Sequence, residues 1–190
     1  MLVRKQALIF ACFFLPYLSI SILFFLPFWP GVMSQDSLFI WRASGLPEIY
    51  LNDHPVLNQL LYMYLKGIWN NPAIVPIAQI LGGAVLTATV VYAVYRKGVP
   101  LAILAVLYVF VLGMLPIFLF NIMLWKDVPY ALLVVFWGLF FSREVTSEDR
   151  PKHGIGRITF GRVTIFLSFL FLCFMRYKGL VYLAVVTVFS

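Results

Sequence analysis

Pro55-Val56-Leu57-Asn58-Gln59-Leu60-Leu61-Tyr62-Met63-Tyr64-Leu65-Lys66-Gly67-Ile68-Trp69 is the stretch whose reading decides how this chain crosses a membrane. It is apolar enough to pass for a span but only 15 residues long. A helix needs about 20 residues to cross a hydrocarbon core of roughly 30 Å. At 3.6 residues per turn its polar members Asn58, Gln59, Tyr62 and Lys66 fall within about 100° of one another. Leu57, Leu60, Leu61, Tyr64 and Ile68 face the other way. This pattern predicts a helix over 55–69 lying in the plane of a membrane interface, with Trp69 at headgroup level. Asn70-Asn71-Pro72 ends it.

The chain as a whole is strongly apolar. Of 190 residues, 63% are hydrophobic and 11% charged. Soluble domains run nearer half and a quarter, and so few polar residues could not cover a soluble surface. The sequence predicts an all-α integral membrane protein, a multi-span helical bundle with juxtamembrane helices in its first outer loop. Spans are expected over about 6–30, 73–95, 99–120, 128–142 and 158–175, with another starting at 180–190. The first outer loop is residues 31–72, and Ser37 to Ser44 within it can form two helical turns. Residues 1–190 read as one transmembrane domain, the N-terminal portion of a longer protein. Cys12 and Cys173 lie far apart in apolar runs and read as core residues. Gly82-Gly83 inside a span reads as a close helix contact.

The net charge of +7 would suggest nucleic acid for a soluble protein. In a membrane protein it reflects basic cytoplasmic loops, and no nucleic-acid partner is expected. If 55–69 lies flat, nine of the fourteen basic residues share the side of Arg4-Lys5, against six if it crosses. The flat arrangement follows the positive-inside rule, with a cytoplasmic N-terminus. It puts Asp36, Asp53, His54, Lys126, Asp127 and Arg176 together on the outer side.

Ionisable groups near membrane depth are costly and usually have a purpose. Each of the six also has a plainer role. Asp36 can N-cap the 37–44 helix, Asp53 the 55–69 helix, and Asp127 the helix opening at Val128-Pro129. His54 can be an interfacial hydrogen-bonder, Lys126 can snorkel, and Arg176 can flank a span. The sequence contains no Gly-rich phosphate loop, no His-x-x-x-His pair and no Gly-x-Ser-x-Gly elbow.

These residues resemble a known layout. A first helix is followed by a long outer loop with Asp36 soon after its start. Then comes Asp53-His54-Pro55-Val56-Leu57, an acid before His-Pro and a Leu. Lys126-Asp127-Val128-Pro129 looks like a second outer-loop acid opening the next helix. Arg176-Tyr177-Lys178-Gly179 is similar to a basic motif of a less characterised bacterial branch. Together they resemble the GT-C type integral membrane glycosyltransferases, such as protein mannosyltransferases and the lipid A aminoarabinose transferase. The family often carries paired acids at the first position, where this chain has Asp36-Ser37.

The resemblance implies transfer of a hexosyl or pentosyl sugar from a polyprenyl-phosphate carrier. The acceptor would be a glycan, lipid or protein at the outer face of a bacterial plasma membrane. Asp36 would be the catalytic base. Asp53, His54, Lys126, Asp127 and Arg176 would bind substrate and phosphate, the two cations neutralising the leaving group. Asp53 and Asp127 could also hold a divalent cation, Mg or Mn. The alternatives are a transporter or lipid-carrier flippase subunit using the same charges as a gate, and a structural subunit in which they only cap helices.

Overall fold

The computed structural model describes residues 2–46 and 56–145. They form seven α-helices: α1 Leu2–Phe25, α2 Gln35–Ala43, α3 Val56–Ile68, α4 Ile74–Arg96, α5 Leu101–Leu112, α6 Leu115–Asn121 and α7 Asp127–Val145. Extended pairing among the described residues is limited to an isolated bridge between Val32 and Met123.

Two stretches are long and apolar enough to cross a membrane, Gln6–Phe28 and Ile74–Arg96, each of 23 residues. At 1.5 Å per residue each reaches about 35 Å, enough for the hydrocarbon core. They mark the chain as a membrane protein. A third crossing exists only if α5 and α6, bent by 62°, are counted as one broken span. The sequence reading drew this region, 99–120, as one span. Gly113 and Pro116 break it. Pro116 has no N–H, and its ring would meet the carbonyl of Leu112 in a continuous helix. Glycine in a helix interior costs about 1 kcal/mol against alanine. The apolar stretch Asp127–Leu139 of α7 is short by the same measure. The stretches 158–175 and 180–190 lie outside the described residues.

α1 and α4 pack antiparallel along most of their length. Ile9, Phe13 and Tyr17 share a core with Ala84 and Ala88, while Phe25 packs with Ala73 and Ile80. Gly83 makes the close approach possible: a Cβ there would sit 2.9 Å from the Tyr17 hydroxyl. Phe118 of α6 fills the space beside them, fully buried, stacked on Phe24 at 5.6 Å and tilted against Tyr17 at 5.4 Å. Because α1 and α4 are antiparallel, the C-terminal end of α1 and the N-terminal end of α4 lie together at one end of the pair, here called the cap end. Arg96-Lys97 and the start of α1 lie at the other. Cys12 is on the exposed side of α1, not in the core.

α3 therefore makes no net crossing, and at 13 residues it spans only about 20 Å. Its polar stripe, however, faces opposite to the sequence expectation. A helix resting on an interface turns its polar side to water. Here Asn58, Gln59 and Tyr62 are buried against the protein, and Leu60, Met63, Tyr64 and Ile68 are exposed. Tyr62 and Lys66 find partners there, whereas the Asn58 amide is buried with no hydrogen-bond partner among the described residues. Lys66 Nζ donates to the Trp41 carbonyl at 2.9 Å and lies 5.1 Å from the centre of its ring, clamping the end of α2.

Pro16 interrupts α1, and the defect is repaired from outside. The Tyr17 amide would ordinarily donate to the Phe13 carbonyl four residues back. Instead it donates to the Tyr108 hydroxyl at 3.1 Å, and that hydroxyl donates to the Phe13 carbonyl. An α5 side chain is thus inserted into the α1 hydrogen-bond ladder, a recognised cause of helix bending. Tyr108→Phe leaves both backbone groups unpaired in an apolar core. It is expected to lower stability by about 1–2 kcal/mol, read as a fall in detergent unfolding midpoint. An unchanged midpoint would mean that the inserted hydroxyl is not what satisfies these backbone groups.

Candidate functional site

Ser34 and Ser37 open the site. Ser34 Oγ accepts from the Ser37 amide at 3.2 Å and so N-caps α2. The Ser37 hydroxyl donates to the Leu124 carbonyl at 2.5 Å. Its single proton is thereby used, so in the 2.9 Å contact between the two hydroxyls Ser34 is the donor. α2 starts at Gln35, two residues before the expected Ser37, and Asp36 is not its cap. The reason is geometric: Ser34 already has the extended backbone that a cap requires, and Asp36 lies within the first turn of the helix.

The chain between α6 and α7 is pinned opposite. The Val32 amide donates to the Ile122 carbonyl at 2.9 Å, and the Leu124 amide donates to the Val32 carbonyl at 3.0 Å. The Tyr62 hydroxyl donates to the Leu124 carbonyl at 2.9 Å. Burial pushes the Tyr62 phenol pKa up, so it stays a donor at any physiological pH. Gln79 of α4, with its amide oriented to suit its neighbours, donates to the carbonyls of Asn121 at 2.8 Å and Met123 at 3.0 Å. Gly31 lets the two segments meet. Its φ is +122°, and a Cβ there would lie 2.7 Å from Pro76 Cγ and 2.8 Å from Leu124 Cδ1.

These anchors bring Asp36, Lys126 and Asp127 to the wall of one cavity of about 160 Å³, together with Ser34, Ser37, Ile40, Leu124 and Trp125. Asp36 is exposed; Lys126 and Asp127 are half-buried. The first turns of α2 and α7 both open on this cavity, and their N-terminal dipole ends favour negative charge there. Asp127 is the first residue of α7. Asp53, His54 and Arg176, the other expected site residues, lie outside the described residues.

An apolar groove of about 650 Å³ runs from the same place along α6 and α7. Trp125 and Asp127 line both spaces. The groove continues past Phe120, Val128, Leu132 and Val135, with Tyr17 and Asn121 in its floor. Asn121 Nδ2 donates to the Tyr17 hydroxyl at 2.6 Å. The groove has the volume of an ordinary ligand pocket, whereas the polar cavity is smaller and suits only a headgroup. A second apolar groove, about 500 Å³, lies between α3, α4 and α7.

Among the described residues no three His, Cys, Asp or Glu side chains come together. Asp36 and Asp127 share their cavity with the Lys126 ammonium, and the Ser37 hydroxyl proton is committed to a carbonyl. Asp53, the other expected metal ligand, is outside the described residues.

The sequence reading passed over Ser34, Ser37, Tyr62, Gln79 and Trp125. A serine three residues ahead of another at a helix start was the legible signal for the cap. Comparison with protein-family models, with curated proteins and with solved structures found no match.

The doubly used Leu124 carbonyl sets an expectation. Ser37→Ala or Tyr62→Phe alone leaves it one partner and should cost about 1 kcal/mol. The double variant orphans it and should cost more than the sum, with a coupling above about 0.5 kcal/mol. Denaturant unfolding in detergent of the four proteins of the cycle gives the coupling. Strict additivity would mean the two bonds act independently.

Proposed function

We propose that this protein is a membrane glycosyltransferase that takes a sugar from a polyprenyl-phosphate carrier. The observation that carries the proposal is the junction at 125–127. A small charged cavity and an apolar groove meet there, with Trp125 and Asp127 lining both. A ligand filling both has a compact polar head and an extended hydrocarbon tail.

In this reading the head is a phosphate bearing one sugar. Asp36 is the base, free for the role because Ser34 makes the cap. It takes the proton of the acceptor hydroxyl as that oxygen bonds to the anomeric carbon. The bond from anomeric carbon to phosphate oxygen breaks, and polyprenyl phosphate leaves. Lys126 and the helix N-termini balance the charge gathering on the departing phosphate. Asp127 orients the acceptor. The tail stays in the groove, so a soluble nucleotide-sugar pocket is not required.

Both basic pairs, Arg4-Lys5 and Arg96-Lys97, belong to the end away from the cap, which supports an outward-facing cap by the positive-inside rule. Asp36, Lys126 and Asp127 gather at the cap, not along the spans. That favours chemistry at a membrane face over transport through the bundle.

Asp36→Asn tests the assignment in the full-length protein, assayed with a polyprenyl-phosphate sugar. The change keeps size and leaves the Ser34 cap untouched. Transfer should fall by roughly 10²–10⁴-fold, the range for a general base, with folding near normal. Wild-type activity in this variant would end the catalytic role of Asp36. Lys126→Met should slow transfer and weaken polyprenyl-phosphate binding together. If the wild-type protein transfers from no lipid-linked donor, the enzyme reading is lost.

A further inference from the structure

We infer that Trp125 is a specificity-determining residue that reads the join between phosphate head and hydrocarbon tail. The inference rests on the lipid-phosphate reading of the site. Trp125 lines the polar cavity and the apolar groove at once. Its neighbour Lys126 supplies the cation and its neighbour Leu124 the anchored carbonyl, so the backbone that carries the indole is held in place. The ring is also held on its groove side by Phe120, with centroids 5.8 Å apart and planes tilted by 43°.

An indole suits this place chemically, because it offers a broad apolar face and one polar N–H tip. A free phosphate reaches Lys126 without needing the ring. A prenyl alcohol can fill the groove without engaging Lys126. Only a molecule with both parts must pass its first carbons over Trp125. The ring therefore adds affinity for phosphate-bearing lipids in particular. A lipid-facing tryptophan of the ordinary interfacial belt would instead leave ligand choice unchanged.

The test measures binding of farnesyl phosphate, farnesol and inorganic phosphate to the detergent-solubilised full chain. Inorganic phosphate is read by competition against farnesyl phosphate. Trp125→Ala should weaken farnesyl phosphate about tenfold, the scale of one lost aromatic wall, and leave inorganic phosphate unchanged. Lys126→Met should weaken both anions. Melting curves check folding. If Trp125→Ala does not fold, Trp125→Phe decides, with a smaller but equally selective loss expected. An unchanged farnesyl phosphate affinity, or equal loss of both anions, overturns the role of Trp125 and leaves the lipid-phosphate site standing. Wild-type protein that binds no farnesyl phosphate overturns the site reading itself, and this inference with it.

Discussion

The Leu124 carbonyl is the point on which the cap end hangs. It accepts from Ser37 of α2 and from Tyr62 of α3, and the amide of the same residue donates to Val32. Both oxygen lone pairs and the N–H are used, so residue 124 has no spare hydrogen-bonding capacity. The next three residues, Trp125 to Asp127, carry the cation, one acid and the aromatic wall of the site. They project from a backbone atom held by two other helices. Shifting that atom breaks two hydrogen bonds at once in a buried setting, where an orphaned carbonyl costs about 1–3 kcal/mol. The site geometry is thus a consequence of the packing of α2 and α3, which contribute few charges of their own to it.

The same logic runs down into the spans. Apolar surroundings supply no water to an irregular backbone, so every break needs a protein partner. The Pro16 break is closed by the Tyr108 hydroxyl. Tyr17, next in sequence, holds Asn121 through its own hydroxyl, and Gln79 holds the carbonyls of Asn121 and Met123. One connected set of polar contacts links the Pro16 position of α1 to the turn that leads into the site. Gly83 belongs to this set by what it lacks, since a side chain there would displace the Tyr17 hydroxyl. Helix association in lipid depends on such close packing and hydrogen bonding more than on the hydrophobic effect.

How much of this was legible follows from which physics was local. Spans over 6–30 and 73–95 were readable because length and apolarity need no partner. Helix α3 was readable from its stripe, but its facing was not. The stripe gives the angle between two faces, and only contacts such as Lys66 with Trp41 and Tyr62 with Leu124 say which face meets protein. The bend between α5 and α6 was written in Gly113 and Pro116 and outweighed by the apolar run around them. Asp36, Lys126 and Asp127 were legible as a group because one topology puts them on one side. Ser34 in place of Asp36 as cap depended on a backbone angle two residues earlier. Trp125 was invisible, because nothing in one sequence says that a particular aromatic stands between two cavities.

In the proposed lipid-phosphate reading, the charges described at the cavity give head and tail a reason to act together. Among the described lining residues Asp36 and Asp127 outnumber Lys126 by one, so those side chains together do not favour a free anion. At an effective dielectric near 20, unit charges about 4 Å apart interact by roughly 4 kcal/mol, comparable with the affinity of a millimolar ligand. The two helix N-termini offset part of this, by about 0.3–1 kcal/mol each at exposed sites. Phosphate alone therefore has little to gain. A lipid-linked phosphate recovers the deficit elsewhere, because tail carbons leaving an aqueous or detergent surface for a groove contribute about 25 cal/mol for each Å² buried. The acids that a base-catalysed transfer needs are the same groups that would make the site a poor binder of free phosphate. The apolar groove beside them is what reconciles the two requirements.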